Sequence, residues 1–190
     1  TAAAFQRRGE IGRGIDLAHP LAAAARDRLD EDGILNRVGL LLQAVGPLVV
    51  AVIAAERREG DAAFACSANG KLTGRPAACL TIAGPGTTNL INRLSDAKVD
   101  RAPVLALTAQ VQTQVFGPGA FQDIDLAAAF AAVATFSQPV LPISNHAELA
   151  SLACKTAIVE QNVAHLIFPD YVQTIPSDAL AKGPEGRMGR

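Results

Sequence analysis

At 190 residues, a formal net charge of -1 and a pI near 6.3, the chain has the length of one ordinary domain and lacks the positive field that nucleic acid or an anionic membrane surface would require. Hydrophobic residues make up 49% of it and charged residues only 18%, too few to clothe an ordinary solvated surface, which implies that part of the surface is an interface. No continuous apolar run reaches the roughly 18 residues needed to cross a bilayer, the N-terminus lacks the basic-then-apolar layout of a signal peptide, and cysteines at 66, 79 and 154 fit neither a disulfide framework nor a zinc site, so a soluble protein of the reducing cytoplasm is expected.

Residues 1–32 form an N-terminal segment that says little. Gly9 to Gly14 is polar and glycine-rich, and residues 17–31 read as an Ala-rich helix with a charged end. A domain is expected over 33–176. Its strand candidates are the apolar runs Leu48 to Ile53, Ala77 to Ile82, Val104 to Thr108 and His165 to Phe168. Helical stretches fall between and beside them, at Arg58 to Leu72, Thr87 to Val99, Ile124 to Ala132 and Ala147 to Gln161. Such alternation predicts an α/β fold, an open parallel sheet with helices on both faces. Residues 177–190 read as a linker or tail; with Thr1 in place of an initiating Met, they suggest a piece of a longer protein.

In open parallel sheets ligands sit beyond the carboxyl ends of the strands, which directs attention to three loops. After Ile53 the chain runs through Ala54, Ala55, Glu56, Arg57 and Arg58 to Glu59, at the start of an apolar helix. By position alone Glu59 is an acid complementing the helix dipole or pairing with a neighbouring arginine, and Glu56 competes with it. After Ile82 comes Ala83-Gly84-Pro85-Gly86-Thr87-Thr88-Asn89, a turn opening into a helix. It has neither a P-loop ending nor a dinucleotide fingerprint, and by itself it is a tight structural turn. After Thr108 a long loop runs through Gly117-Pro118-Gly119 to Gln122 and Asp123, a length more often functional than decorative. His19, His146 and His165 are scattered without ligand spacing, which argues against a metal or triad role.

Taken in order and at this spacing, these segments make a combined pattern. Glu59, LTGRP at 72–76, GPGTTNL at 84–90, DAKVDRAPVLALTAQV at 96–111 and AFQDIDL at 120–126 resemble the N-terminal, pyrimidine-binding domain of the acetolactate synthase and pyruvate oxidase group of thiamine diphosphate enzymes. The likeness extends from about Ala54 to Pro176, through HLIFPDYVQ at 165–173, which looks like that family's domain-closing strand. It implies the pyrimidine-type thiamine diphosphate-binding fold. Glu59 matches the glutamate that hydrogen-bonds the aminopyrimidine; Gly84, Pro85 and Asn89 match positions lining the pyrimidine pocket; Gln122 matches a glutamine reaching toward the reacting centre. Glu59 and Gln122 are thus the expected catalytic residues, and Glu59, Gly84, Pro85 and Asn89 the expected cofactor contacts. The chemistry has an independent rationale. A carboxyl group in an apolar pocket can share a proton with a ring nitrogen, and the activated cofactor then serves as electron sink for decarboxylation or carboligation of a 2-oxo acid.

The departures are specific. DGILNRVGLLLQAVGPLVV at 32–50 lacks the family's opening Phe-Gly-x-Pro-Gly loop, Arg58 stands where the family has His, Ala68-Asn69-Gly70 replaces Gly-Tyr-Ala, and Ala109 replaces the glycine of Thr-Gly-Gln. The Gly-Asp-Gly and Asn-Asn signature that holds diphosphate and magnesium in the family is absent, and no cluster of oxygen ligands takes its place, so no metal ligand is assigned to this chain. The resemblance therefore implies a diphosphate-binding domain elsewhere in a longer chain or on a partner subunit, magnesium and any FAD held only through other domains, homo-oligomerisation, and no turnover by this chain in isolation. The alternative is a degenerate, non-catalytic module using the same surfaces for assembly or regulation. A nucleotide-binding Rossmann-type domain would rest on fold analogy alone.

Overall fold

Residues 51–54, 59–117 and 119–173 are described by a computed structural model of the chain. The expected helix at 17–31, the tail at 177–190, Leu48 to Val50, Glu56, Arg57, Arg58 and Pro118 lie outside the described residues. In chain order the elements are β1 (Ala51–Ala54), α1 (Glu59–Thr73), β2 (Ala77–Thr81), α2 (Pro85–Val99), β3 (Val104–Gln110), a 3-10 turn (Thr113–Val115), α3 (Leu126–Phe130), β4 (Ala134–Pro139), α4 (His146–Glu160), β5 (Val163–Pro169) and α5 (Asp170–Gln173). The strands form one five-stranded sheet in the order β1-β2-β3-β5-β4, with every pairing parallel.

Alternation along the central strands explains the helices on both faces. Ala77 and Cys79 of β2, with Val104 and Ala106 of β3, point into one cluster beneath Ala62, Ala63 and Cys66 of α1, Leu90, Leu94 and Ala97 of α2, and Phe130 of α3. Ala78, Leu80, Leu105 and Leu107 point the other way, against Ala150, Ala153, Cys154 and Ala157 of α4. Every residue of β2, β3 and β5 is buried, the signature of strands covered on both sides. The three cysteines are free, buried members of these clusters, as expected of small hydrophobes. Burial pushes the Cys154 thiol up to about 12, leaving it without thiolate character.

Several boundaries differ from the sequence expectation for identifiable reasons. Helix α2 begins two residues earlier than expected, because Pro85 suits the first turn, where its missing N–H costs nothing. Asp125 and Asn145 accept from the backbone N–H of Ala128 and Glu148 and so set where α3 and α4 begin. Strand β4 was not anticipated. Its sequence ATFSQP is polar and ends in proline, tolerable because β4 is at the edge of the sheet, pairs only with β5 among the described residues, and carries an irregularity between Ala134 and Phe136. The segment HLIFPDYVQ is not a strand throughout: pairing ends at Pro169 and Asp170–Gln173 is helical. Strand β5 is last in sequence but internal in space, between β3 and β4.

The β3-β5-β4 junction holds a buried histidine. His165 is stacked on Phe130 with ring centroids 3.6 Å apart and planes inclined by 15°. Its Nε2 lies 2.8 Å from Thr108 Oγ1 and its Nδ1 lies 2.8 Å from Ser137 Oγ. A neutral imidazole donates through one nitrogen and accepts at the other, so the two hydroxyls satisfy it and tie three strands together. Burial lowers its pKa to about 3. The unfolded chain takes up a proton near pH 6.5 that the folded chain refuses until about pH 3, so stability is full above pH 6.5 and falls as the pH drops through that window. One such proton is worth about 1.4 kcal/mol per pH unit. Urea denaturation between pH 7 and 4 should therefore show a falling unfolding free energy, with a slope reduced by about one proton in His165→Gln.

Candidate cofactor-binding site

The carboxyl ends of β1, β2 and β3 open on one edge of the sheet, and α1 and α2 start there. Glu59 is the first residue of α1 and shares its first turn with Asp61, a placement that complements the helix dipole. Asn89 lies in the first turns of α2, and its Nδ2 donates to Glu59 Oε2 at 3.3 Å. The half-buried carboxyl of one helix is thus held by the amide of the next.

Between them lies the glycine turn. A Cβ on Gly86 would stand 2.7 Å from Ile82 Cγ2, 3.0 Å from Thr81 Oγ1 and 3.1 Å from Glu59 Oε1. Only a residue without a side chain lets these three groups converge. Gly84 has φ 72°, a conformation that L side chains rarely adopt, and a Cβ there would meet Gln122 Cβ at 2.7 Å and its Cα at 2.9 Å. The turn is closed by Thr87 Oγ1, which donates to Ile82 O at 2.7 Å, and by Thr88 Oγ1, which donates to Pro85 O at 2.8 Å. Pro85 itself is exposed at the start of α2.

Gln122 is delivered by the long loop after β3, in the left-handed region at φ 67°. For a residue with a side chain that conformation persists only where the surroundings enforce it. Buried Gln110 supplies much of the enforcement: its Nε2 donates to Ile124 O at 2.7 Å, while its Oε1 accepts from Val111 N at 2.9 Å. Gln112 donates to Asp170 at 2.8 Å, and Asp123 accepts from Gly117 N at 3.2 Å. The loop end is thus stapled so that Gln122 lies against Gly84.

The structure therefore brings together Glu59, Gly84, Asn89 and Gln122, with Pro85 at the exposed lip. Three further residues belong to the same place. Thr81 and Gly86 face the Glu59 carboxyl, and Arg93, one helical turn beyond Asn89, runs over Gly60 with its guanidinium 4.6 Å from the centroid of the Phe64 ring. Arg93 was invisible in the sequence because its helix offset from Asn89 matters only once α2 lies against α1. At the opposite end of these helices Lys71 pairs with Asp96 at 2.7 Å and with Asp100 at 2.6 Å, and Ser67 Oγ donates to Asp96 at 2.7 Å. Lys71 and Ser67 hold the Asp96 carboxyl below its ordinary range. Among the described residues no group of three or more His, Cys, Asp or Glu side chains is arranged to hold a metal ion.

Residues 21–130, more than half of the chain, match the family described as thiamine pyrophosphate enzyme, N-terminal TPP binding domain. The chain belongs to this family. Its relatives include the Bacillus subtilis protein YdaP, named as thiamine pyrophosphate-containing, which is 43% identical over 114 residues covering 60% of this chain and 20% of YdaP. The large subunits of acetolactate synthase isozymes 1 and 2 of Escherichia coli are 38% identical over 69 residues and 43% identical over 70 residues, covering 36% and 37% of this chain and 12% and 13% of theirs. The chain thus spans about a fifth or less of the length of these relatives. The parallel α/β sheet is the fold expected of a thiamine pyrophosphate enzyme's N-terminal domain. No helix among the described residues is long and apolar enough to cross a membrane.

The glycine turn provides a direct test of this geometry. Gly84→Ala forces a Cβ into Gln122 at a positive φ and should cost about 1–3 kcal/mol of stability by urea denaturation. A variant as stable as the natural protein would show that the turn does not abut the Gln122 loop.

Proposed function

We propose that this domain supplies the pyrimidine-side half of a thiamine diphosphate site in an acetolactate synthase-like enzyme acting on 2-oxo acids, with Glu59 as the acid that engages the aminopyrimidine. The observation that carries this reading is the convergence of the Glu59 carboxyl, the Asn89 amide and the Gly84-Pro85-Gly86 turn at the carboxyl edge of the sheet. The residues fit the group. Glycine at 86 lets the backbone of the turn come close to Glu59 Oε1, and beside it lies a buried hydroxyl, Thr81 Oγ1, without a hydrogen-bond partner among the described residues. A flat nitrogen heterocycle with polar edges suits such a surface, which offers a proton-sharing carboxyl and close backbone approach.

When bound, thiamine diphosphate supplies the electron sink for cleaving the bond beside a 2-oxo group. This chain's residues act around it. Glu59 holds or shares the proton at a ring nitrogen, Asn89 fixes the carboxyl's orientation through Oε2, and Gln122, braced against Gly84, presents a polar amide toward the reacting side. Diphosphate, magnesium and any FAD are assigned to other domains, in the same longer chain or on a partner. Exposed Ile82, Phe116, Phe121 and Ile143 follow the carboxyl ends of β2, β3 and β4, and they support a partner surface at this edge, in a cytoplasmic homo-oligomer.

The test uses the full-length protein, or this chain with its diphosphate-binding partner. Glu59→Gln should lower kcat for 2-oxo acid decarboxylation by at least about a hundredfold, the usual reach of a positioned acid or base. Turnover close to that of the natural protein would sink the assignment. The altered first loop within 32–50 and the changes at Arg58 and Asn69 motivate a non-catalytic module instead, and titration calorimetry on the assembled protein decides between the two. Absence of thiamine diphosphate binding would favour the module.

A further inference from the structure

Thr81 ends β2 in the middle of the site, and nothing in the motifs assigns it a role. It is 6% exposed, and among the described residues its Oγ1 is the buried side-chain polar atom that has no hydrogen-bond partner. Its neighbours do not share this defect: Thr87 donates to Ile82 O, and Thr108, paired with Thr81 across the sheet, meets His165. A valine has the same shape, favours strands, and would remove the cost of burying an unpaired hydroxyl. An orphaned buried hydroxyl therefore calls for an explanation.

The geometry supplies one. The point where a Gly86 Cβ would stand is 3.0 Å from Thr81 Oγ1 and 3.1 Å from Glu59 Oε1, so both oxygens border the same face of Gly86, where a side chain would crowd them. Glu59 Oε2 is already held by Asn89, and Oε1 is the oxygen left to settle. A hydroxyl can donate to a carboxylate and accept from a carboxylic acid, so it can serve Glu59 in either protonation state. Asn89 Nδ2 can only donate.

We propose that Thr81 is a positioning residue for Glu59: from the end of β2 its hydroxyl hydrogen-bonds the carboxyl on the Oε1 side and fixes the carboxyl plane when a ligand ring nitrogen engages it. This rests on the proposed role of Glu59 in binding the aminopyrimidine. The hydroxyl stays unpaired in the free protein and finds its partner when ligand draws the carboxyl into place. Affinity is thereby gained at some expense of free-state stability, a common trade in binding sites.

The experiment is titration calorimetry of thiamine diphosphate, with magnesium, on the full-length protein carrying Thr81→Val, Thr81→Ser or Glu59→Ala, and on the Glu59→Ala/Thr81→Val double variant. Thermal unfolding of each ligand-free protein is measured alongside. Thr81→Val should unfold at the same or a higher temperature than the natural protein yet bind about tenfold more weakly, the effect of one hydrogen bond on affinity. Thr81→Ser, which keeps the oxygen and loses the methyl group, should restore affinity; in the Glu59→Ala background Thr81→Val should weaken binding no further. If Thr81 serves packing alone, the order reverses, with Val binding like the natural protein and Ser weaker, and the proposal is overturned. Unchanged binding in Thr81→Val with weakened binding in Glu59→Ala removes the role of Thr81 and leaves that of Glu59. Unchanged binding in Glu59→Ala, or none in the natural protein, removes both.

Discussion

The site depends on one close approach, that of the turn after β2 to the first residue of α1. Glu59 belongs to one helix and Asn89 to the next; their side chains meet through Oε2, while the absence of a Cβ at 86 lets the turn pack against Oε1. Two residues earlier the same absence lets the Gln122 loop close on Gly84. Both contacts form at a distance where a methyl group would have to displace a neighbour. At both glycines backbone rather than side chain therefore meets the neighbouring group.

Such an approach is useful only if the two helices cannot slide. They are fixed at both ends. Near the site Arg93 lies over Phe64 and Gly60, and at the far end Lys71 joins α1 to Asp96 and Asp100 of α2 while Ser67 adds a second donor to Asp96. The Lys71 pairs are largely solvated and contribute little to stability as such. Their worth is in registry, because they specify which turn of α1 faces which turn of α2. Between the two ends small residues of α1, Ala62, Ala63 and Cys66, pack against the leucines Leu90 and Leu94 and against Ala97 of α2, above a small-residue stretch of β2.

The sheet below is stiffened from its other side. His165 sits where β3, β4 and β5 meet, satisfied by two hydroxyls and stacked on Phe130, and β4 would otherwise be a polar edge strand held by one neighbour. This ties the end of α3, which closes the Gln122 loop, to the centre of the sheet. Phe130, at the far end of that helix, anchors it in the core.

The amino-acid sequence by itself determined the class of fold and marked the loops in which the candidate residues lie. Runs of Val, Ile, Leu and Ala with both faces apolar can only be strands covered on two sides, and the glycine turn and Glu59 occur at spacings that local chain geometry preserves. It also drew attention to Glu59, Gly84, Asn89 and Gln122 as candidates, since these fall in segments that resemble the family pattern. It did not show β4, whose polar residues become a strand only because β5 offers a ladder edge, nor the helical turn after Pro169. It did not show that Thr81 and Arg93 lie near Glu59 and Gly60, because a threonine ending an apolar strand and an arginine on a helix are ordinary until tertiary contacts decide what faces them. Nor could it show that Glu59 is held by Asn89, thirty positions away in the chain. Periodicity and turn chemistry are local and can be read along the chain, whereas an orphaned hydroxyl, a shared carboxyl and a missing Cβ acquire meaning only when separate segments are packed to within a bond length of each other.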